Sequence, residues 1–297
     1  MKSKRKYLLI SLFILLSIGG CKKDYDFTDS IFIDQEELDP SSSTYSFDLW
    51  LNKNFLEPYN LSFKYRMADV GSDLDYNLVP VSLDKSKQFA QLVKYLWFDV
   101  YSDMVDEKFL KNYGPRIIHL IGSPAYNPNS GTIVLGTADG GIKITLYNCN
   151  SLDFSDPDMM NEYYFKTMHH EFAHILQQTK STPKDFEKIS AGNYSPMGWQ
   201  YRTDDEAAKL GFVSAYASSQ ASEDFVETIA NYLVKSDEDW SALLKMAGED
   251  SSEIILNKLA ICSKWLSEKW GIDIVAMRND IIEREQNINA DFFNVDL

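Results

Sequence analysis

Apolar and polar positions follow three rhythms along the chain. Between Leu83 and Asp103 the large residues Phe89, Leu92, Val93, Leu96, Trp97, Val100 and Tyr101 recur at spacings of three and four, one stripe of an α-helix. Ser46 to Asn52 has the same spacing. Leu61-Ser62-Phe63-Lys64-Tyr65-Arg66-Met67 alternates residue by residue instead, as a half-buried strand does. Strands are also predicted over Arg116 to Ile121, Gly131 to Leu135 and Ile142 to Tyr147. Thr137-Ala138-Asp139-Gly140-Gly141 joins the last two and predicts a hairpin. The expected result is a small, mostly antiparallel sheet. From Asp158 onward the period becomes helical, over Met159 to about Gln178, Ser222 to Val234, Ser251 to Lys269 and Ile274 to about Gln286. No internal repeat is present. Strands followed by helices read as α+β: one domain over 46–297, sheet-bearing to about residue 150 and helical over about 151–297.

The third rhythm is an unbroken apolar run, Tyr7 to Ile18, behind Lys2, Lys4, Arg5 and Lys6. Twelve residues at about 1.5 Å each fall short of a hydrocarbon core of about 30 Å, so the run reads as a secretory signal and not as a membrane span. It closes on Leu16-Ser17-Ile18-Gly19-Gly20-Cys21, small residues before a cysteine, which resembles a bacterial lipobox. That likeness makes 1–20 a lipoprotein signal peptide and Cys21 an acylated N-terminus. Acyl chains contribute about 0.8 kcal/mol per buried CH₂, enough to hold the protein on a membrane without a spanning helix. Residues 21–45 are polar and aperiodic and read as a tether. Lys23-Asp24 and Asp26 look like the signals of surface-exposed lipoproteins, which favours the outer membrane and its outer face, with the periplasmic face as the alternative.

Composition narrows the partners. The 297 residues are 44% hydrophobic, enough for a sizeable core, and carry 29 basic against 44 acidic side chains. Without the four cations of the signal the balance is 25 − 44 = −19, a surface that repels phosphate backbones, so nucleic acid is excluded as a partner. Two cysteines remain beside Cys21. Export makes a Cys149–Cys262 bridge one option; Cys262 lies in an apolar helical stretch, where a buried thiol is the other.

The chemistry concentrates in Met168 to Gln178, which contains His170-Glu171-Phe172-Ala173-His174. On a helix, positions i and i+4 share a face, so two imidazoles point to one spot and can grip one Zn²⁺. Glu171 is then placed as a general base toward a water activated by the ion. Of four histidines three fall at 169, 170 and 174. His169 is rotated about 100° from the shared face and is assigned to packing or support of the ligands. His119, in the strand Ile117-Ile118-His119-Leu120, is read as structural.

A catalytic zinc needs a third protein ligand. A third histidine of the metzincin type is excluded, because Gln177 and Lys180 stand where Gly and His would be. A carboxylate on a second helix becomes the candidate, and Ser222-Glu223-Asp224-Phe225-Val226-Glu227 opens one, with Ser222 as the expected N-cap. Glu223 and Glu227 are again i and i+4. One can bind the metal while the other accepts the N–H of a ligand imidazole and fixes its tautomer. Glu223 is assigned as ligand and Glu227 as the imidazole partner, with the exchanged roles as the alternative. Asp224 is assigned to surface or capping.

HEFAH followed by Glu223 in EDFVE resembles the gluzincin metallopeptidases, whose third ligand is a Glu opening a helix. In one branch a Tyr seven residues before that Glu stabilises the oxyanion, and Tyr216 stands at this spacing. With the lipobox, the wider pattern of HHEFAHILQQ, Tyr194, Gly198-Trp199, GFVSAYA and EDFVE is similar to the substrate import-associated zinc metallohydrolase lipoproteins, over about residues 162–233. The resemblance implies a zincin-like α+β fold with an active-site helix, one zinc per chain held by His170, His174 and Glu223, and Glu171 and Tyr216 as catalytic groups. It implies a peptide or protein substrate and a membrane-anchored peptidase beside an outer-membrane TonB-dependent nutrient importer. In zincin folds an edge strand above the helix pairs with extended peptide, and Ile142 to Tyr147 is the expected one. An accessory lipoprotein that binds nutrient without turnover, and a zinc amidase on a non-peptide bond, are the alternatives.

Overall fold

The computed structural model describes residues 38–67, 76–126, 133–134, 136–139 and 141–294. The signal, Cys21 and the tether as far as residue 37 lie outside the described residues. Among the described residues no helix is long and apolar enough to cross a membrane.

A first helix spans Tyr45–Leu51, close to the expected Ser46 to Asn52, and the longer α1 (Leu83–Val93) starts where the Ser82 hydroxyl accepts the Lys85 amide. It continues through a π-helical turn at Lys94–Phe98 into Asp99–Met104. Every member of the stripe read from the sequence is buried. Trp97 and Tyr101 meet Phe172 edge-on at 5.4 and 5.0 Å, contacts of about 0.5–1.5 kcal/mol beyond their area.

Among the described residues six short strands form two sheets. β1 (Ser62–Lys64), β2 (Ile117–Leu120), β5 (Gly136–Asp139) and β6 (Lys143–Leu146) make a four-stranded sheet in the order β1-β2-β6-β5, while β3 (Ala125–Tyr126) and β4 (Ile133–Val134) pair as a separate ribbon. The α+β class and the small sheet are as expected; the pairing sense is not. In the four-stranded sheet β1–β2 and β2–β6 are parallel and β5–β6 is antiparallel, as is the β3–β4 ribbon. Parallel partners must be joined by crossovers, and the long helical excursion between β1 and β2 is such a crossover.

The hairpin is present but tighter than expected. Its first arm is Gly136–Asp139, and the Gly131–Leu135 stretch contributes β4 to the ribbon instead. Gly141 takes a left-handed φ of 72°, so the chain reverses without a long loop. A Cβ at Gly141 would lie 3.0 Å from Ile175 Cγ1, which sets the turn against the histidine helix. The Ile142–Tyr147 stretch is not an edge: β6 is paired on both sides, and among the described residues β1 and β5 are the outer strands.

Among the described residues the long helices of the second part are α2 (Lys166–Thr179), α3 (Ala221–Val234), α4 (Asp237–Ala247), α5 (Glu249–Trp270) and α6 (Ile274–Gln286), with the short helices Lys184–Ile189 and Asp204–Ala208 between α2 and α3. α2 follows a short helix, Pro157–Met160, and a π-helical turn, Asn161–Phe165. α3 has eleven of its fourteen residues buried, so it is the central helix, packed by α2, α5 and α6. A second apolar cluster, including Phe212, Trp240, Leu243 and Ile255, lies beneath the segment that leads into α3. Cys149 and Cys262 are both buried free thiols, so no bridge joins them.

Candidate metal centre

α2 presents opposite faces to two environments. Phe172, Leu176 and His169 enter the apolar core, while His170 and His174 point toward α3. α3 begins at Gln220, in extended backbone, with no side-chain cap; Ser222 lies inside the helix. The displaced start leaves Glu223 in the first turn facing both histidines, with Gln220 donating to its Oε1 at 3.3 Å.

Three donor atoms converge. His170 Nε2 and His174 Nε2 are 3.1 Å apart, and Glu223 Oε2 lies 3.2 Å from the first and 3.1 Å from the second. Ligands at about 2.0–2.1 Å from a tetrahedral zinc stand about 3.3 Å from one another, so this triangle has the dimensions of three such ligands with a fourth position left over. The donor set, two imidazoles and one carboxylate, also suits zinc.

The supporting contacts fix which atoms are offered. Glu227 Oε1 lies 2.7 Å from His170 Nδ1, and accepting that N–H leaves Nε2 with its lone pair free. Glu227 Oε2 accepts from Ser214 Oγ at 2.5 Å and Asn231 Nδ2 at 3.2 Å. Between the two carboxylates, Glu223 is the one within reach of both Nε2 atoms. Gln177 Nε2 sits 2.5 Å from His174 Nδ1; with the ring's Nε2 given to a metal, Nδ1 carries the proton, and the Gln177 amide turned over would present its oxygen to receive it.

Without the ion His170 holds a proton in its place. Burial opposes charge on His170, but the hydrogen bonds to Glu223 and Glu227 outweigh it and raise the ring to about 10. Burial likewise opposes charge on the two carboxylates, and the histidines hold Glu223 well below its usual range and Glu227 at about 2. Glu171 is raised, chiefly by burial. Tyr216 stands on a short 3₁₀ turn, Tyr216–Ser218, with its ring centroid 5.8 Å from that of His170 and Trp199 edge-on at 4.9 Å. The side chain keeps part of its surface in solvent, yet its phenol is raised by desolvation and then by the charge and hydrogen bond of Glu223, so it stays protonated at neutral pH and can donate a hydrogen bond.

One further expectation changes, and those for His169 and His119 hold. Asp224 is neither surface nor cap: it is fully buried and paired with Lys258 at 2.7 Å. His169 is a packing residue, its Nδ1 3.1 Å from the Tyr101 hydroxyl, and burial pushes it down to about 3. His119 is buried in β2 and lowered to about 4 by burial and by Lys143 and Lys64. Gln177, Ser214, Asn231 and Lys258 were not foreseen. Lys258 had a signal: on α5 it occupies the buried stripe of Ile255, Cys262, Trp265 and Leu266, where a cation needs a partner.

The fold and this centre define an α+β protein with two histidines and a glutamate arranged for a metal. Over residues 41–275 the chain matches the model of a family described as "putative zinc-binding metallo-peptidase". It is also similar to a crystal structure, at 2.10 Å, of a putative zinc-binding metallo-peptidase from Bacteroides caccae ATCC 43185, with 45% identity, a TM-score of 0.74, and coverage of 84% of this chain and 95% of that one. No curated protein matches. The chain belongs to this family.

Proposed function

We propose that the chain is a zinc-dependent peptidase, held at the outer membrane by an acylated Cys21 and acting beside a TonB-dependent nutrient importer. The observation that carries the hydrolytic part is the triangle of His170 Nε2, His174 Nε2 and Glu223 Oε2 with Glu171 beside it, in a chain of a zinc-binding peptidase family. The anchor rests on the Leu16–Cys21 lipobox likeness, the surface placement on Lys23-Asp24 and Asp26, and the importer on the wider motif likeness.

His170, His174 and Glu223 would hold one zinc, which when bound polarises a scissile carbonyl and lowers the pKa of water. Glu227 keeps the His170 proton on Nδ1, so that Nε2 stays available. Glu171 takes the proton of the attacking water and returns it to the leaving nitrogen; its raised affinity for protons suits that exchange. Tyr216 donates its phenolic proton in a hydrogen bond to the carbonyl oxygen as negative charge develops there. The outer edge of β5 is the place for an extended substrate, since its main-chain groups face no other strand among the described residues.

Metal analysis coupled to cleavage of a proteome-derived peptide library tests this reading. Wild type with one zinc and peptide cleavage, and Glu171→Gln with zinc but a 10²- to 10⁴-fold lower rate, are expected. Zinc in both proteins with cleavage by neither replaces the peptidase with an accessory binding lipoprotein. Turnover restricted to non-peptide amides replaces it with an amidase.

A further inference from the structure

The first turn of α3 is tied down from behind by a buried ion pair. Asp224, the residue after Glu223, has no exposed surface, nor has Lys258, and Lys258 Nζ lies 2.7 Å from Asp224 Oδ2. The same ammonium donates to the carbonyl of Gly211 at 2.8 Å and rests 4.0 Å above the ring centroid of Phe212. Tyr194 donates its hydroxyl to the same Asp224 oxygen at 2.8 Å, and its ring lies 5.5 Å from that of Phe212.

Each of these contacts leads to a different part of the metal centre. Asp224 belongs to the helical turn of Glu223. Gly211 starts the segment that carries Ser214, the donor to Glu227, and Tyr216. At its start the backbone runs close against α5: Gly211 has a left-handed φ of 83°, and a Cβ there would lie 2.5 Å from Ile254. Tyr194 opens the loop to Trp199, and the Ser195 amide donates to the Ser218 carbonyl at 2.8 Å, joining loop and segment. Three stretches that are separate in sequence thus meet at one ammonium and one carboxylate.

We infer that Lys258, acting through Asp224, is a positioning residue for the metal centre: it sets the register of Glu223, Ser214 and Tyr216 against the histidine helix. This rests on the zinc reading above. Burying a charge pair is costly and a well-packed apolar pair would serve stability as well or better, so the directional contacts are what such a pair adds. Lys258 touches neither the donor triangle nor any group named in the hydrolysis.

The test compares zinc affinity, by competition with a chelator, and the Co²⁺ absorption spectrum of wild type, Lys258→Met and Arg278→Met, each well below its own melting temperature. Arg278 is also a buried cation, paired with Asp237 at 2.7 Å beyond the opposite end of α3, so its loss reports general destabilisation. Lys258→Met is expected to weaken zinc by about 10- to 100-fold and to change the Co²⁺ spectrum, with Arg278→Met binding as wild type. If Lys258→Met does not fold, Asp224→Asn, which keeps the side chain's shape and weakens the charge contact, is expected to shift both readouts in the same direction. A folded variant with wild-type zinc affinity and spectrum overturns the inference while leaving the zinc reading intact. A wild type without zinc overturns both, whereas an equal loss of affinity in Arg278→Met overturns the positioning role alone.

Discussion

His169 and His170 are neighbours on one helix, both are buried, and they are opposites chemically. His169 faces the core, meets one phenol, and is held neutral by burial at a pKa of about 3. His170 faces α3, meets two carboxylates, and is raised to about 10 against the same opposing effect of burial. Burial by itself therefore makes a histidine inert; what prepares one for a cation is negative charge delivered by a second element. The two faces of α2 divide the labour: the side of Phe172 and Leu176 fixes the helix in the core, and the side of His170 and His174 is free to carry chemistry.

The sharpest way to break this contrast is to exchange the two residues' fates. His170→Ala is expected to abolish stoichiometric zinc binding, and His169→Gln to leave zinc affinity within about threefold of wild type, both read by metal analysis after dialysis. Loss of zinc in the His169 variant would place the donor set on the wrong face.

That contrast was half legible in the sequence. The i, i+4 spacing of the histidines, and of Glu223 and Glu227, shows on any helical projection, and the 100° offset of His169 separates it from its neighbour. The large helices and the α1 stripe were legible for the same reason, since a long amphipathic period is a local signal. Sheet order was not, because strands of two to four residues carry little periodicity and parallel partners are set by distant crossovers. α4 was passed over although Ser236 caps it through the Asp239 amide. Asp224 was misplaced because acidic residues suit any helix N-terminus; its partner lies 34 residues on in α5, and only the burial of α3 on nearly every side requires such a partner.

A smaller effect sharpens the role of the acid partners. Glu227→Gln keeps the shape but weakens the hold on His170 Nδ1, and is expected to cost about 10- to 100-fold in zinc affinity by chelator competition, less than loss of the ligand itself. Tyr101→Phe makes the matching change on the core side. It removes the partner of His169 Nδ1 and should cost about 1–3 kcal/mol of stability in urea unfolding without altering zinc affinity.

The smallest expected effect is in pH dependence, and the neighbours give it opposite signs. In the metal-free protein His170 has a folded pKa above its unfolded value of about 6.5, so its contribution is full below that value and is lost as pH rises toward 10. His169 is depressed, so the unfolded chain takes up a proton that the folded chain refuses, and stability is lost as pH falls from about 6.5 toward 3. Urea midpoints in chelator across pH 4 to 10 should therefore lose part of the alkaline decline in His170→Ala and part of the acid decline in His169→Gln. Zinc, which displaces the His170 proton, should flatten the alkaline side in wild type.

The central claim is that α2 and α3 together grip one zinc through His170, His174 and Glu223. Anomalous diffraction from a zinc-soaked crystal, recorded on both sides of the zinc absorption edge, addresses it most directly. The account predicts one strong peak per chain within bonding distance of His170 Nε2, His174 Nε2 and a Glu223 carboxylate oxygen. A strong peak elsewhere, or none between these two helices, would contradict it.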